Sequence, residues 1–69
     1  MITKNRSEIM KNVLVIYTDN VQERFEAICI RDKMVIIGRI LEGEFVNCGI
    51  IPKGNIKEIH DGSKKIQLN

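Results

Sequence analysis

The chain has 69 residues, a net charge of +2, and is 43% hydrophobic and 29% charged. That size leaves room for one domain, and that composition excludes a disordered polar chain. The mild positive charge permits nucleic-acid binding without requiring it, because strongly basic domains are the usual footprint.

A chain this short buries only ~60% of the surface its unfolded form exposes, so a disulfide, a metal or self-association commonly adds stability. Residues 1–11 carry Lys4, Arg6, Glu8 and Lys11 and no apolar run of the kind a secretory signal needs. No segment is long and apolar enough to cross a bilayer as a helix. The expected location is therefore the cytoplasm, with Cys29 and Cys48 as reduced, buried thiols. Two thiols and one histidine, His60, do not form a zinc-binding spacing. With no disulfide, metal or cofactor expected, self-association or a partner protein becomes the expected source of extra stability.

Residues 1–11 read as a polar tail or a short helix, with Asn5 and Glu8 in a capping-box spacing and a helix running through Met10. Residues 12–69 read as a single small β domain. Val13 to Thr18 is a continuous β-branched apolar run closed by Asp19-Asn20, the pattern of a strand buried on both faces. Arg24 to Arg31 forms the second strand, with Phe25, Ala27 and Cys29 alternating against Arg24 and Glu26. After a polar break at 31–33, Met34 to Leu41 forms the third, and Gly38 within it marks a bulge or bend. Glu42-Gly43 fits a two-residue hairpin turn leading into a fourth strand, Glu44 to Ile51.

Pro52 to Asn55 suits a tight or 3₁₀ turn. Ile56 to His60 makes a short fifth strand, and Asp61-Gly62 is a hairpin signal that lets Lys64 to Leu68 pair back as a sixth or trail off. The isoleucine-rich, leucine-poor core and the abundance of Lys and Asn fit an AT-rich bacterial or phage origin.

This order of elements resembles the small SH3-like barrels, including the Sm-like RNA-binding proteins. These have about five bent strands, a 3₁₀ turn before the last and, in the Sm-like branch, a short N-terminal helix. Ile50-Ile51-Pro52-Lys53-Gly54-Asn55-Ile56-Lys57-Glu58-Ile59 is similar to the family's second motif, and Asp32-Lys33-Met34-Val35-Ile36 to its first. The first motif's spaced glycines are absent, and Val35 stands where a polar residue is usual. The resemblance implies an all-β barrel, with RNA contacts near Asp32 to Val35 and Lys53 to Asn55; with the cations that flank these turns, the candidate nucleic-acid-binding residues are Arg31, Lys33, Lys53, Asn55 and Lys57.

The residues also speak for themselves. Chemistry-bearing groups are scattered: His60 precedes Asp61 on a strand, where neighbours point to opposite faces, and the carboxylates lie on turns and solvent faces. A catalytic pair needs a pocket that shifts one pKa, and a barrel of this size has no interior for a substrate. Catalysis is not expected. The first and third strands are apolar on both faces, whereas a curled sheet has one interior. Leu14, Ile16, Val35, Ile37 and Leu41 are therefore the expected protein interface. The sequence reading is a non-enzymatic, self-associating protein-interaction or regulatory module. An Sm-like RNA binder and a small-molecule binder at a subunit interface are the alternatives.

Overall fold

The computed structural model describes residues 9–62 and 64–68. They form β1 (Ile9–Tyr17), β2 (Gln22–Ile30), β3 (Met34–Leu41), β4 (Glu44–Pro52), a 3₁₀ turn (Lys53–Asn55), β5 (Ile56–Asp61) and β6 (Lys64–Gln67). All six strands join one antiparallel sheet in the order β4-β3-β2-β1-β5-β6. The all-β class holds, and the described residues contain no α-helix. The expected closed barrel is replaced by an open sheet with edges at β4 and β6.

The N-terminal reading needs correction where it can be followed. Residues 1–8 lie outside the described residues, but Ile9 to Lys11 are already strand, opposite Cys29, Ile28 and Ala27. Burial of Met10 against Ile28 overrides the capping pattern read there, so the β domain begins by Ile9 rather than at residue 12.

β1 carries the bend that shapes the sheet. Met10, Val13 and Val15 all join the core cluster. Strict alternation would place Met10 and Val13 on opposite faces. Between them Asn12 has φ 52°, a left-handed conformation that Asn tolerates better than most residues, and the strand exchanges faces there. β2 makes the matching exchange. Phe25 and Ile28 both pack on the core, so Cys29 lies on the other face rather than sharing one with Phe25.

The core gathers Met10, Val13, Val15, Ile28, Val35, Ile56 and Ile59, with Phe25, Ile30, Ile37, Ile51, Ile66 and Leu68 around it. Val35 on β3 and Ile59 on β5, three places apart in the sheet, are both fully buried although the described residues supply no second layer to cover them; the sheet curls over this face. The 3₁₀ turn ties the curl. Lys53 N donates to Lys33 O at 3.1 Å, and Thr18 N donates to Asn55 O at 3.0 Å, linking the β2–β3 and β1–β2 turns through three residues.

The turn chemistry follows the sequence. Glu42 and Gly43 take φ 50° and 81°, the two left-handed positions of a tight hairpin turn. At Gly38 the β3–β4 register shifts, and an added Cβ would lie 2.2 Å from Val46 O and 2.8 Å from the Phe45 ring. Only glycine lets β4 and the Phe45 ring approach so closely.

Candidate interaction surfaces

Register places two surfaces on the face turned away from the core, and a third gathers around the 3₁₀ turn. The first crosses β1 to β4. Ile9 pairs with Cys29, Cys29 with Ile36, and Ile36 with Ile50, so four apolar side chains form one row across four strands. The ends of the row are open, with Ile9 47% and Ile50 57% exposed. Phe45 joins the same face because the bulge beside Gly38 brings Phe45 opposite Ile40 and Asn47 opposite Gly38. Ile9, Cys29, Ile36 and Phe45, with Arg31 and Asn47 at the margin, line a shallow hollow of about 290 Å³.

The second surface is the continuation of this face over β1, β2, β5 and β6, and it is polar. Leu14 lies between Arg24 and His60, and His60 lies opposite Lys65. Ile16 lies between Gln22 and Glu58, and Glu58 lies opposite Gln67. His60 Nε2 and Glu58 Oε1 are 2.6 Å apart, and this hydrogen bond holds the Glu58 carboxyl below the usual carboxylate range.

The third surface is cationic and surrounds the 3₁₀ turn. Lys53 Nζ donates to Asp32 O at 3.1 Å, and Lys57 Nζ donates to Asn20 Oδ1 at 3.2 Å. Asn55 shares a shallow hollow of about 310 Å³ with Tyr17, Thr18, Asp19 and Val21. Tyr17 Oη donates to Glu23 Oε1 at 2.9 Å; partial burial, then this bond and nearby carboxylates, push the phenol up to about 12.

The sequence-predicted residues divide among these surfaces. Lys33, Lys53, Asn55 and Lys57 gather around the 3₁₀ turn and the turns it ties. Arg31 departs from them and borders the apolar hollow. Of the expected protein interface, Val35 is fully buried and Ile37 packs against the core, so neither is presented to a partner. Both faces of β3 are apolar, and the core takes Val35 and Ile37 while Ile36 turns outward. Leu14 and Ile16 do face outward, half-buried among polar neighbours. Leu41 is 51% exposed beside the β3–β4 turn.

Cys48 is also corrected: it is exposed, its thiol directed at Val46 O at 3.7 Å, while Cys29 is buried as expected. Cys29 pairs with Ile9 and His60 with Leu14, positions five residues apart on β1. That is about 16 Å along a strand, so these two do not form a nucleophile–base pair. Among the described residues no three His, Cys, Asp or Glu side chains converge as a metal set would.

The sequence reading missed Ile9, Cys29, Ile36, Phe45 and Ile50. Their apolar character was visible, but choosing the outward face required the register and the exchange at Asn12. No family model, curated protein or solved structure matches this chain.

Proposed function

We propose that the protein is a non-enzymatic protein-interaction or regulatory module that acts as a homo-oligomer and docks a partner on the outer face of β1 to β4. The observation that carries this reading is the row Ile9–Cys29–Ile36–Ile50, apolar across four strands with both ends open to solvent. Arg31 and Asn47 at its margin give the polar rim common to such surfaces. The SH3-like reading of the architecture draws support from β5 pairing beside β1 and from the 3₁₀ turn between β4 and β5, with β6 as an addition to that plan.

Affinity capture from a bacterial lysate tests the docking reading when wild type is compared with two variants. The supporting result is a stoichiometric protein partner held by wild type and by Lys33→Glu/Lys57→Glu, insensitive to moderate salt, and lost on Ile36→Asp with an unchanged thermal melt. Retention of that partner by Ile36→Asp contradicts it.

The gathering of Lys33, Lys53, Asn55 and Lys57 favours a second reading, an Sm-like single-strand RNA binder. Its test is fluorescence anisotropy of a labelled RNA oligonucleotide at low and moderate salt. Tight binding that falls steeply with salt and is lost in Lys33→Glu/Lys57→Glu would put this reading first. Absence of binding at low salt retires it.

A further inference from the structure

The two edges of the sheet are unlike. β6 has four residues and opens with Lys64 and Lys65, a short charged strand of the kind that blocks edge-to-edge pairing. β4 has nine residues, and after Glu44 none of them is charged. Val46 and Ile50, on opposite faces of β4, are 39% and 57% exposed. An added strand would therefore meet apolar side chains on both faces of the edge.

Charge is polarised along this edge. Glu42 and Glu44 stand at the β3–β4 turn, and Lys33 and Lys53 stand together at the other end. A strand that is acidic at its start and basic just past its end complements a second copy of itself in antiparallel alignment.

We propose that β4 pairs antiparallel with β4 of a second copy about a two-fold axis, with Glu44 of each chain opposite Lys53 of the other. This rests on the reading of the protein as a self-associating binding module and names the surface through which it self-associates. The alignment agrees with the faces of the strand. Glu44 opposite Lys53 sets Asn47 opposite Ile50, both on the outer face, and Val46 opposite Ile51, both on the inner face. A register one residue away mixes the faces.

The bulge favours the same occupant. β4 bends where its register with β3 shifts between Ile37 and Gly38, and Gly49 N donates to Asn47 Oδ1 at 2.9 Å within that bend. A straight strand would not follow the bent edge, whereas a second copy bends identically. Pro52, which has no N–H to offer, falls at the end of the pairing opposite Phe45.

Sedimentation equilibrium with charge-reversal variants tests the proposal. Wild type should show twice the chain mass. Glu44→Lys alone and Lys53→Glu alone should each weaken the dimer on the order of tenfold, and the two together should restore it. Val46→Lys with Ile50→Lys, both at exposed positions, should give a folded monomer. A short bis-maleimide should couple two chains through Cys48 and fail with Cys48→Ser, because Cys29 is buried.

A monomer at every concentration overturns the proposal. So does a dimer indifferent to Val46→Lys/Ile50→Lys, or a double charge reversal that restores nothing. A monomeric protein whose captured partner still requires Ile36 loses the β4 pairing and keeps the docking face. A β4 dimer whose capture ignores Ile36→Asp does the reverse.

Discussion

The outer face of the sheet is one continuous surface with two characters. Over β1 to β4 it reads Ile9, Cys29, Ile36, Ile50. Over β2, β1, β5 and β6 it reads Arg24, Leu14, His60, Lys65. In the second half each outward aliphatic residue of β1 has polar neighbours on both adjacent strands, whose stems cover it and whose polar ends meet water. In the first half apolar residues stand beside one another: Cys29 is buried among them, while Ile9 and Ile50 at the two ends stay open to solvent. The backbone is the same antiparallel sheet in both, so the difference lies in side-chain choice. It marks out the surface proposed above for a partner.

The largest expected effect separates this outer row from the core behind it. Val35 and Ile36 are neighbours on β3, one fully buried and the other outward. Val35→Asp buries an unpaired carboxylate and should cost on the order of 4 kcal/mol or more, enough to unfold a domain of this size. Ile36→Asp should cost about 1 kcal/mol and leave a folded protein. Urea titrations of both variants check this. Equal loss of stability would mean that the row is a second core rather than a surface.

Gly38 comes next. It lets β4 close on β3 and carry Phe45 onto the outer face. Gly38→Ala should destabilise by about 1–3 kcal/mol, towards the upper end because one of the crowded atoms is the Val46 carbonyl oxygen rather than a flexible side-chain tip. Thermal unfolding measures it. A neutral substitution would show that the bulge relaxes freely and that Phe45 is not fixed on this face.

A third comparison sets the two halves against each other directly. Ile36→Asp should abolish partner capture, while Leu14→Asp, among its polar neighbours, should leave capture within twofold of wild type. Loss of capture in both variants would extend the docking surface over the whole face.

The smallest effects are electrostatic and belong to the polar side of the molecule. The His60 hydrogen bond lowers the folded pKa of Glu58 below its ordinary value of 4.5. Its contribution is present above that value and is lost as pH falls through the folded pKa. His60→Ala should reduce the acid dependence of stability only slightly, because the contact is screened by solvent. Tyr17 runs the other way. Its folded pKa is about 12 against an ordinary 10.0, so its contribution is complete below 10 and fades as pH rises through 12. Tyr17→Phe should flatten that alkaline limb in chemical denaturation measured across pH.

Much of the fold was legible in the residues. Met34 to Leu41 has the predicted bounds, and the turns at Glu42-Gly43 and Lys53–Asn55 fall where their residue types place them. These features are local: alternation, a left-handed pair, and a proline that ends a strand. The start of β1 was hidden because Ile9 to Lys11 become strand only through pairing with Ala27 to Cys29, a contact distant in sequence. The proposed docking surface was half legible for a related reason. That β3 is apolar on both faces is plain from Met34 to Leu41. Which face meets the core depends on Asn12, where one left-handed residue exchanges the faces of β1, and on the matching exchange between Phe25 and Ile28 in β2. Neither exchange leaves a mark in composition or spacing.

The most direct test of the docking face is a backbone amide spectrum of isotope-labelled protein, recorded while its captured partner is added. The account predicts shifts at Ile9, Cys29, Ile36 and Phe45, with Lys57 and Asn20 unmoved. Shifts confined to Lys33, Lys57 and the 3₁₀ turn, with Ile36 unchanged, would contradict it and move the working surface to the cationic end.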